Sequence, residues 1–209
     1  MHVTDKKLEN IFWLGGSPCA GKSSISQILE NSFDINVYRV DAAFENHRKK
    51  FEHSLHPTLC DWESSSWNGR WMQPIDKLVQ DVINCYREHF SLIIEDVFVF
   101  PTDKPLLVEG TALMPREVSQ VLSKRDNAIW LIPTSDFQKE KYSQREWVYE
   151  ILKQCDNQTE AFYNWMERDI AFADFVRNEA EKFYLKWLLV DGSKTIEKNA
   201  AIIAEHFQF

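Results

Sequence analysis

Ile11-Phe12-Trp13-Leu14-Gly15-Gly16-Ser17-Pro18-Cys19-Ala20-Gly21-Lys22-Ser23-Ser24 is the stretch whose reading decides the fold. Its first four residues form a short apolar run that stops at a glycine pair, as a buried strand does. From Gly16 to Ser23 it matches G-x-x-x-x-G-K-[ST] at every specified position. Within Ser23–Asn31, Ile25, Ile28 and Leu29 then recur at helical spacing. A strand, a glycine-containing turn and a helix in that order make a cradle for phosphate. Glycine lets the backbone turn sharply and approach an anion. Successive N–H groups and the helix N-terminus point at that anion. Gly16, Ser17, Pro18, Cys19, Ala20, Gly21, Lys22, Ser23 and Ser24 are therefore the expected nucleotide-binding residues. Lys22 would reach the β- and γ-phosphates and the Ser23 hydroxyl would ligate Mg²⁺. The alternative is a chance match in a Gly/Ser turn, against which the flanking strand and helix patterns argue.

Outward from this stretch, apolar runs and helical patterns alternate. Asn36–Val40 reads as a second strand ending at Asp41, Pro105–Glu109 as a third followed by Gly110, and Ala128–Ile132 as a fourth stopped by Pro133. Leu185–Val190 reads as a fifth, ending at Asp191-Gly192. Helical patterns fill the gaps: Ala42–Leu55, the long apolar stripe that opens at Pro74 and ends at Pro101, Met114–Ser123, Ser135–Gln154, Ala161–Phe183 and Ile196–Phe207. Ser54–Gln73 carries Trp62, Trp67 and Trp71 among Ser, Asn and Gly without a period, and reads as a long ordered loop or lid. Strands separated by helices imply βαβ units, hence a parallel sheet with helices on both faces.

The chain has 209 residues, 24 Lys+Arg, 32 Asp+Glu, a formal net charge of −8 and only 6 glycines. That length fits one domain over 1–209, with an acceptor-side insertion at about 42–100 and a lid at about 140–170. The composition excludes collagen, low-complexity disorder and a small disulfide scaffold. The acidic balance argues against a nucleic-acid binder. Cys19, Cys60, Cys85 and Cys155 show neither CxxC pairing nor finger spacing, and with the polar N-terminus this predicts a cytoplasmic protein. No run approaches the roughly 18 apolar residues of a membrane span. Oligomeric state is left open.

No DxxG or [NT]KxD signature of a guanine-nucleotide switch is present, and the third strand ends Leu107-Val108-Glu109-Gly110 rather than in an Asp-Glu pair. The loop Gly15 to Ser24, together with Val40-Asp41 closing the second strand, resembles the small-molecule P-loop kinases. These are the shikimate kinase, gluconate kinase and chloramphenicol phosphotransferase group of the nucleoside monophosphate kinase-like fold. The likeness spans most of the chain in layout and about 15 residues in specific motif. It implies a three-layer α/β fold with a five-stranded parallel sheet in the order 2-3-1-4-5 and a helical lid. It implies ATP- and Mg²⁺-dependent phosphoryl transfer to a hydroxyl or phosphate of a small molecule or nucleotide. Its partners are then a nucleoside triphosphate and a small-molecule acceptor. The chain departs from the group in its longer, Trp-rich acceptor region and in lacking a compact Arg-rich lid loop.

In that group the Asp after the second strand contacts the acceptor hydroxyl or helps hold Mg²⁺, and Asp41 sits at the matching position. Asp41 also fits a helix N-cap, and the two roles are compatible. Glu109 is placed to hold a metal-bound water or to act as the base, or else is a carboxylate satisfied by loop N–H groups. Arg145 and Arg168, and with less support Arg177, are candidate lid arginines for the charge on a transferring phosphoryl group. Their alternative is a solvated helix face with Glu167, Glu179 and Glu181 as partners. Trp62, Trp67, Trp71, His53, His56 and Arg70 either stack on a planar substrate or pin the insertion as a local cluster. Two further readings remain: a nucleotide-binding module or slow NTPase without transfer, and a sulfotransferase with a different phosphorylated donor. The intact Lys22-Ser23 pair weighs against the last.

Overall fold

A computed structural model describes residues 8–101 and 103–209; the polar opening of the chain through residue 7 lies outside the described residues. Five parallel strands form one sheet: β1 (Ile11–Gly16), β2 (Asn36–Arg39), β3 (Leu106–Glu109), β4 (Ala128–Pro133) and β5 (Lys186–Val190), in the order β2-β3-β1-β4-β5. This is the expected 2-3-1-4-5 sheet. The central register aligns Trp13 of β1 with Val108 of β3 and Ala128 of β4.

Side chains alternate across a strand, and here the alternation sorts the core into two layers. Ile11, Trp13, Leu106, Val108, Ala128, Trp130 and Ile132 face one side. There they meet α5 (Ile75–Val99), α6 (Pro115–Ser119) and α9 (Gln158–Lys182). Leu14, Leu107, Ile129 and Leu131 face the other side, against α1 (Lys22–Ser32) and α10 (Ile196–Phe207). Trp130 anchors the first layer through an indole N–H donated to the Leu113 carbonyl at 2.7 Å.

Local chemistry accounts for several helix starts. Thr134 caps α7 (Ser135–Ser143), Asn157 caps α9 and Thr195 caps α10, each side chain accepting an N–H from three residues on. β2 stops at Arg39, one residue short of the expectation, and α2 (Val40–Arg48) begins at Val40. Asp41 therefore lies in the first turn of α2, where the helix dipole favours a carboxylate, and Arg39 occupies the N-cap. The N-cap alternative for Asp41 is thereby corrected.

Ser54–Gln73 is not a loop. It holds two short helices, α3 (Pro57–Ser64) and α4 (Trp67–Trp71). α4 starts on Ser66, whose hydroxyl accepts from the Gly69 N–H. α3 is capped from a distance: the Glu88 carboxylate on α5 accepts from the N–H groups of Thr58 at 3.0 Å and Leu59 at 2.9 Å. The helix expected over Ala42–Leu55 ends at Arg48 accordingly. The helix expected over Ser135–Gln154 is two, α7 and α8 (Glu146–Leu152), broken where Arg145 adopts an extended backbone. Pro133 ends β4 from inside the strand rather than beyond it.

A third cluster lies at the end of the molecule that carries the glycine-containing loop. Trp71, Tyr142, Val148, Leu152, Ala161, Trp165 and Met166 bring α4, α7, α8 and the first half of α9 together. Trp71 and Trp165 stack at 4.2 Å with an interplanar angle of 11°. The Asn164 amide donates to the Trp71 carbonyl at 2.9 Å. Among the described residues no helix is long and apolar enough to cross a membrane.

Candidate active site

The loop between β1 and α1 folds as a phosphate cradle. Gly16 adopts φ 124°, and a side chain there would run into the Leu131 backbone of β4. Gly21, at φ 86°, is the N-cap residue of α1. Ser17 is buried, its N–H bonded to the Leu131 carbonyl at 3.1 Å. Two residues of distant helices hold the loop. The Gln138 amide of α7 donates to the Ser17 hydroxyl and the Pro18 carbonyl, both at 3.0 Å. The Ser17 hydroxyl in turn faces the Asp169 carbonyl of α9 at 3.4 Å.

Lys22 is buried and its ammonium donates to the Ser17 carbonyl at 2.9 Å. Burial lowers its pKa, while Asp41 and Glu109 pull it back up. Glu109, at the end of β3, is also buried. Burial raises its carboxyl above the ordinary range and Asp41 adds to this, while Lys22 and a hydrogen bond from the Ser23 side chain oppose it. Lys22, Ser23, Asp41 and Glu109 thus form one electrostatic group at the carboxyl ends of β1, β2 and β3. That edge is where open α/β sheets hold ligands. Cys19, within the loop at φ 66°, has its thiol pushed up to about 11 by burial, so it is a protonated wall rather than a nucleophile.

Two cavities meet at this edge. The first, about 330 Å³, is bounded by Pro18, Cys19, Gly21, Lys22, Ser23 and Ser24 below and by Tyr142, Arg145 and Trp147 above. The Arg145 guanidinium lies 5.4 Å from the Tyr142 ring and 5.9 Å from that of Trp147, held over the loop by cation–π contacts. The second, about 240 Å³, lies between α2, α3 and α5, with Phe44, Leu59, Trp62, Val82 and His89 in its walls. Asp41 and Tyr86 belong to both cavities and mark their junction.

Arg168 faces the second cavity, not the first. It is buried, its guanidinium bonded to Asp169 through Nε at 2.8 Å and through Nη2 at 2.6 Å, and it lies 4.6 Å over Trp71. Burial lowers its pKa, but Asp169, Tyr86 and Tyr142 together outweigh it and the net shift is upward. Asp169 also accepts the Tyr142 hydroxyl at 2.6 Å. Arg177 is elsewhere, paired with Asp174 at 3.1 Å on the surface of α9. Of the three glutamates read as arginine partners, Glu167 binds Lys139 and Glu179 binds Arg87. Arg70 lies 5.2 Å from the ring centroid of Trp62 and 4.5 Å from that of Trp67, so the insertion's aromatics do pack locally. Trp62 nonetheless also walls the second cavity. His53 is exposed beside Asp61, and His56 is buried, its Nδ1 accepting the Glu52 N–H at 3.2 Å.

The sequence reading missed Tyr86, His89, Gln138, Tyr142 and Asp169. Tyr86 and His89 sit in the long α5 stripe, where one pattern covers both core-facing and cavity-facing residues. Gln138, Tyr142 and Asp169 lie on α7 and α9, which carry no motif.

No protein-family model and no curated protein sequence matches the chain. Among solved structures, TT1252 from Thermus thermophilus is similar at a TM-score of 0.50 and 16% identity, covering 93% of this chain and 96% of that one. A "putative kinase" from Chloroflexus aurantiacus J-10-fl is similar at a TM-score of 0.39 and 14% identity, over 94% of this chain and 97% of that one. At these identities the first likeness is one of fold. The sheet order and the helices on both faces are those of a three-layer α/β fold.

Proposed function

We propose that the chain transfers the γ-phosphoryl group of ATP to a hydroxyl of a small molecule, assisted by Mg²⁺. The observation that carries this reading is the pair of cavities joined at Asp41 and Tyr86. Phosphoryl transfer needs a triphosphate and an acceptor in line on either side of one point. A module that only binds or hydrolyses a nucleotide has no use for the second, largely apolar cavity.

The loop residues Gly16 to Ser24 receive the triphosphate. The Ser23 hydroxyl, with Glu109 hydrogen-bonded to it, supplies the oxygen ligands that suit Mg²⁺, which takes few protein ligands in such sites. Bound there, the ion would neutralise charge on the phosphates. Lys22 leaves the Ser17 carbonyl to meet the β- and γ-phosphates, and Arg145 closes over them from the lid. Asp41 orients the acceptor hydroxyl and takes its proton as that oxygen bonds to the γ-phosphorus and the β-bridging oxygen departs with the electron pair. Arg168 stiffens the acceptor side through Asp169 and Trp71. Burial around Lys22 and Glu109 strengthens each of these interactions by excluding water.

Lys22→Ala tests the reading. ADP release over a panel of hydroxyl-bearing metabolites should fall by about 10³-fold or more, as for removal of a group that stabilises transferring charge, with an unchanged circular dichroism spectrum. Undiminished turnover in a folded variant overturns it. Tight ATP binding with no transfer to any acceptor would instead identify a nucleotide-binding module.

A further inference from the structure

The second cavity has apolar walls in Phe44, Leu59, Trp62 and Val82. At about 240 Å³ it falls below the roughly 300–1,000 Å³ usual for ligand pockets, so its occupant is compact. Its charges are partnered: Asp169 pairs with Arg168, and Asp41 stands in one electrostatic group with Lys22. The cavity therefore requires no charge of its occupant. What it presents instead is a pair of open hydrogen-bond donors.

A guanidinium carries N–H groups on all three nitrogens and has no acceptor, so its role does not depend on its neighbours. Arg168 uses Nε and Nη2 on Asp169, at 2.8 Å and 2.6 Å, and its Nη1 makes no hydrogen bond among the described residues. The residue is only 6% exposed, yet Nη1 is not sealed in protein and opens onto the cavity that Arg168 lines. Tyr86, on α5, is held by its ring, which meets Phe172 edge-on at 5.3 Å. Its hydroxyl also makes no hydrogen bond among the described residues and is not sealed in. Burial raises its pKa, so the hydroxyl keeps its proton, and of the charges acting on it Arg168 is the strongest. Tyr86 borders both cavities, as Asp41 does. Two open donors thus face each other beside the carboxylate that takes the acceptor's hydroxyl.

Resting on the phosphoryl-transfer reading above, we propose that the acceptor is a compact, mostly apolar alcohol with a second oxygen beside the hydroxyl to be phosphorylated, and that Tyr86 and Arg168 hold that oxygen as a donor pair. The first hydroxyl meets Asp41. Because Tyr86 and Asp41 share the junction, the two oxygens belong on neighbouring carbons. The second oxygen needs only lone pairs, so a neutral carbonyl and a carboxylate both qualify. Asp169 and Trp71 are positioning residues, fixing the guanidinium from one edge and one face.

The test titrates mandelate, its methyl ketone analogue and its isopropyl analogue calorimetrically into the protein with Mg²⁺ and a non-hydrolysable ATP analogue. ADP release with ATP is followed in parallel. The three compounds share a ring and a hydroxyl; the neighbouring carbon bears a carboxylate, a neutral carbonyl or no oxygen. The ketone should bind at least about tenfold tighter than the isopropyl compound, against which two buried donors stay unpaired. Mandelate should also exceed the isopropyl compound. Tyr86→Phe keeps the ring on Phe172 and removes one donor. It should cut the ketone-over-isopropyl preference by about threefold or more, and in turnover should raise KM for the ketone more than it lowers kcat. A loss of packing alone would instead weaken all three compounds alike. The comparison of the three compounds on the unaltered protein stands even where the variant fails to fold. A ketone no tighter than the isopropyl compound, even with mandelate tight, overturns the proposal, because charge rather than a donor pair would then be read. No binding by any of the three, or an unchanged preference in folded Tyr86→Phe, overturns it too. Binding in the expected order without ADP release would refute the kinase reading and leave the donor pair standing. ADP release with the isopropyl compound at the ketone's KM would do the reverse.

Discussion

Gly110→Ala isolates the packing that places Asp41. Gly110 follows β3, and a Cβ there would lie 2.5 Å from the Val40 Cβ and 2.8 Å from its Cγ2. Carbon atoms rest about 3.5–4.0 Å apart, so the two segments must separate by about 1 Å. β3 is bonded to a strand on each side, so the movable partner is the start of α2. Overpacking of this kind costs about 1–3 kcal/mol. Asp41 follows Val40 and moves with it, and a displacement of about 1 Å at a reacting group costs roughly 10²-fold in rate. Urea unfolding reads the first effect, ADP release with the best acceptor reads the second, and calorimetry with an ATP analogue checks that the loop is undisturbed. Adding Val40→Ala leaves the offending Cβ in place and should not restore turnover, whereas adding Val40→Gly removes it and should restore part. Gly110→Ala with stability within about 0.5 kcal/mol of the parent and undiminished turnover would show that Val40 does not transmit position to Asp41.

Asp169→Ala leaves the buried Arg168 guanidinium without its partner and should cost about 3–5 kcal/mol; a thermal unfolding midpoint close to the parent's would refute the pairing. Stability should also depend on pH through His89. The unfolded ring protonates near its ordinary 6.5, but the folded one only near 3. Stability from this group is therefore complete above about pH 6.5 and is lost as pH falls toward 3, by at most about 1.4 kcal/mol per pH unit. Urea midpoints between pH 7 and 4 should fall less steeply for His89→Phe than for the parent, and equal slopes would contradict the assignment.

The sheet was legible because its signal is local. Ile11 to Gly16, Leu106 to Glu109 and Ala128 to Pro133 are apolar runs buried on both faces, and each ends at a Gly, Pro or acidic residue. The span Ile196–Phe207 was read to the residue because Thr195 supplies its cap from the adjacent position. The insertion was not legible for the opposite reason. α3 starts where Glu88, thirty residues on, satisfies its first N–H groups, and no local pattern reports that. The site divides in the same way. Lys22, Ser23, Asp41 and Glu109 stand at strand ends and were found by position. His89 was absorbed into the α5 stripe, although it is a buried polar residue on a face that is otherwise mostly apolar. Arg145 and Arg168 were read as equivalents, yet a break in the lid helix turns one toward the phosphate loop and a partner on its own helix turns the other away.

The stacked Trp71 and Trp165 join the acceptor-side insertion to the lid, with Asn164 and Arg168 reinforcing the joint. Parting them would expose two indole faces and uncover the Arg168 guanidinium, so the stack ties the two segments to each other. On the phosphoryl-transfer reading, the two substrates would then share a single closing transition. Whichever arrives first meets much of the ordering requirement for the other, and by linkage each must raise the other's affinity by the same factor.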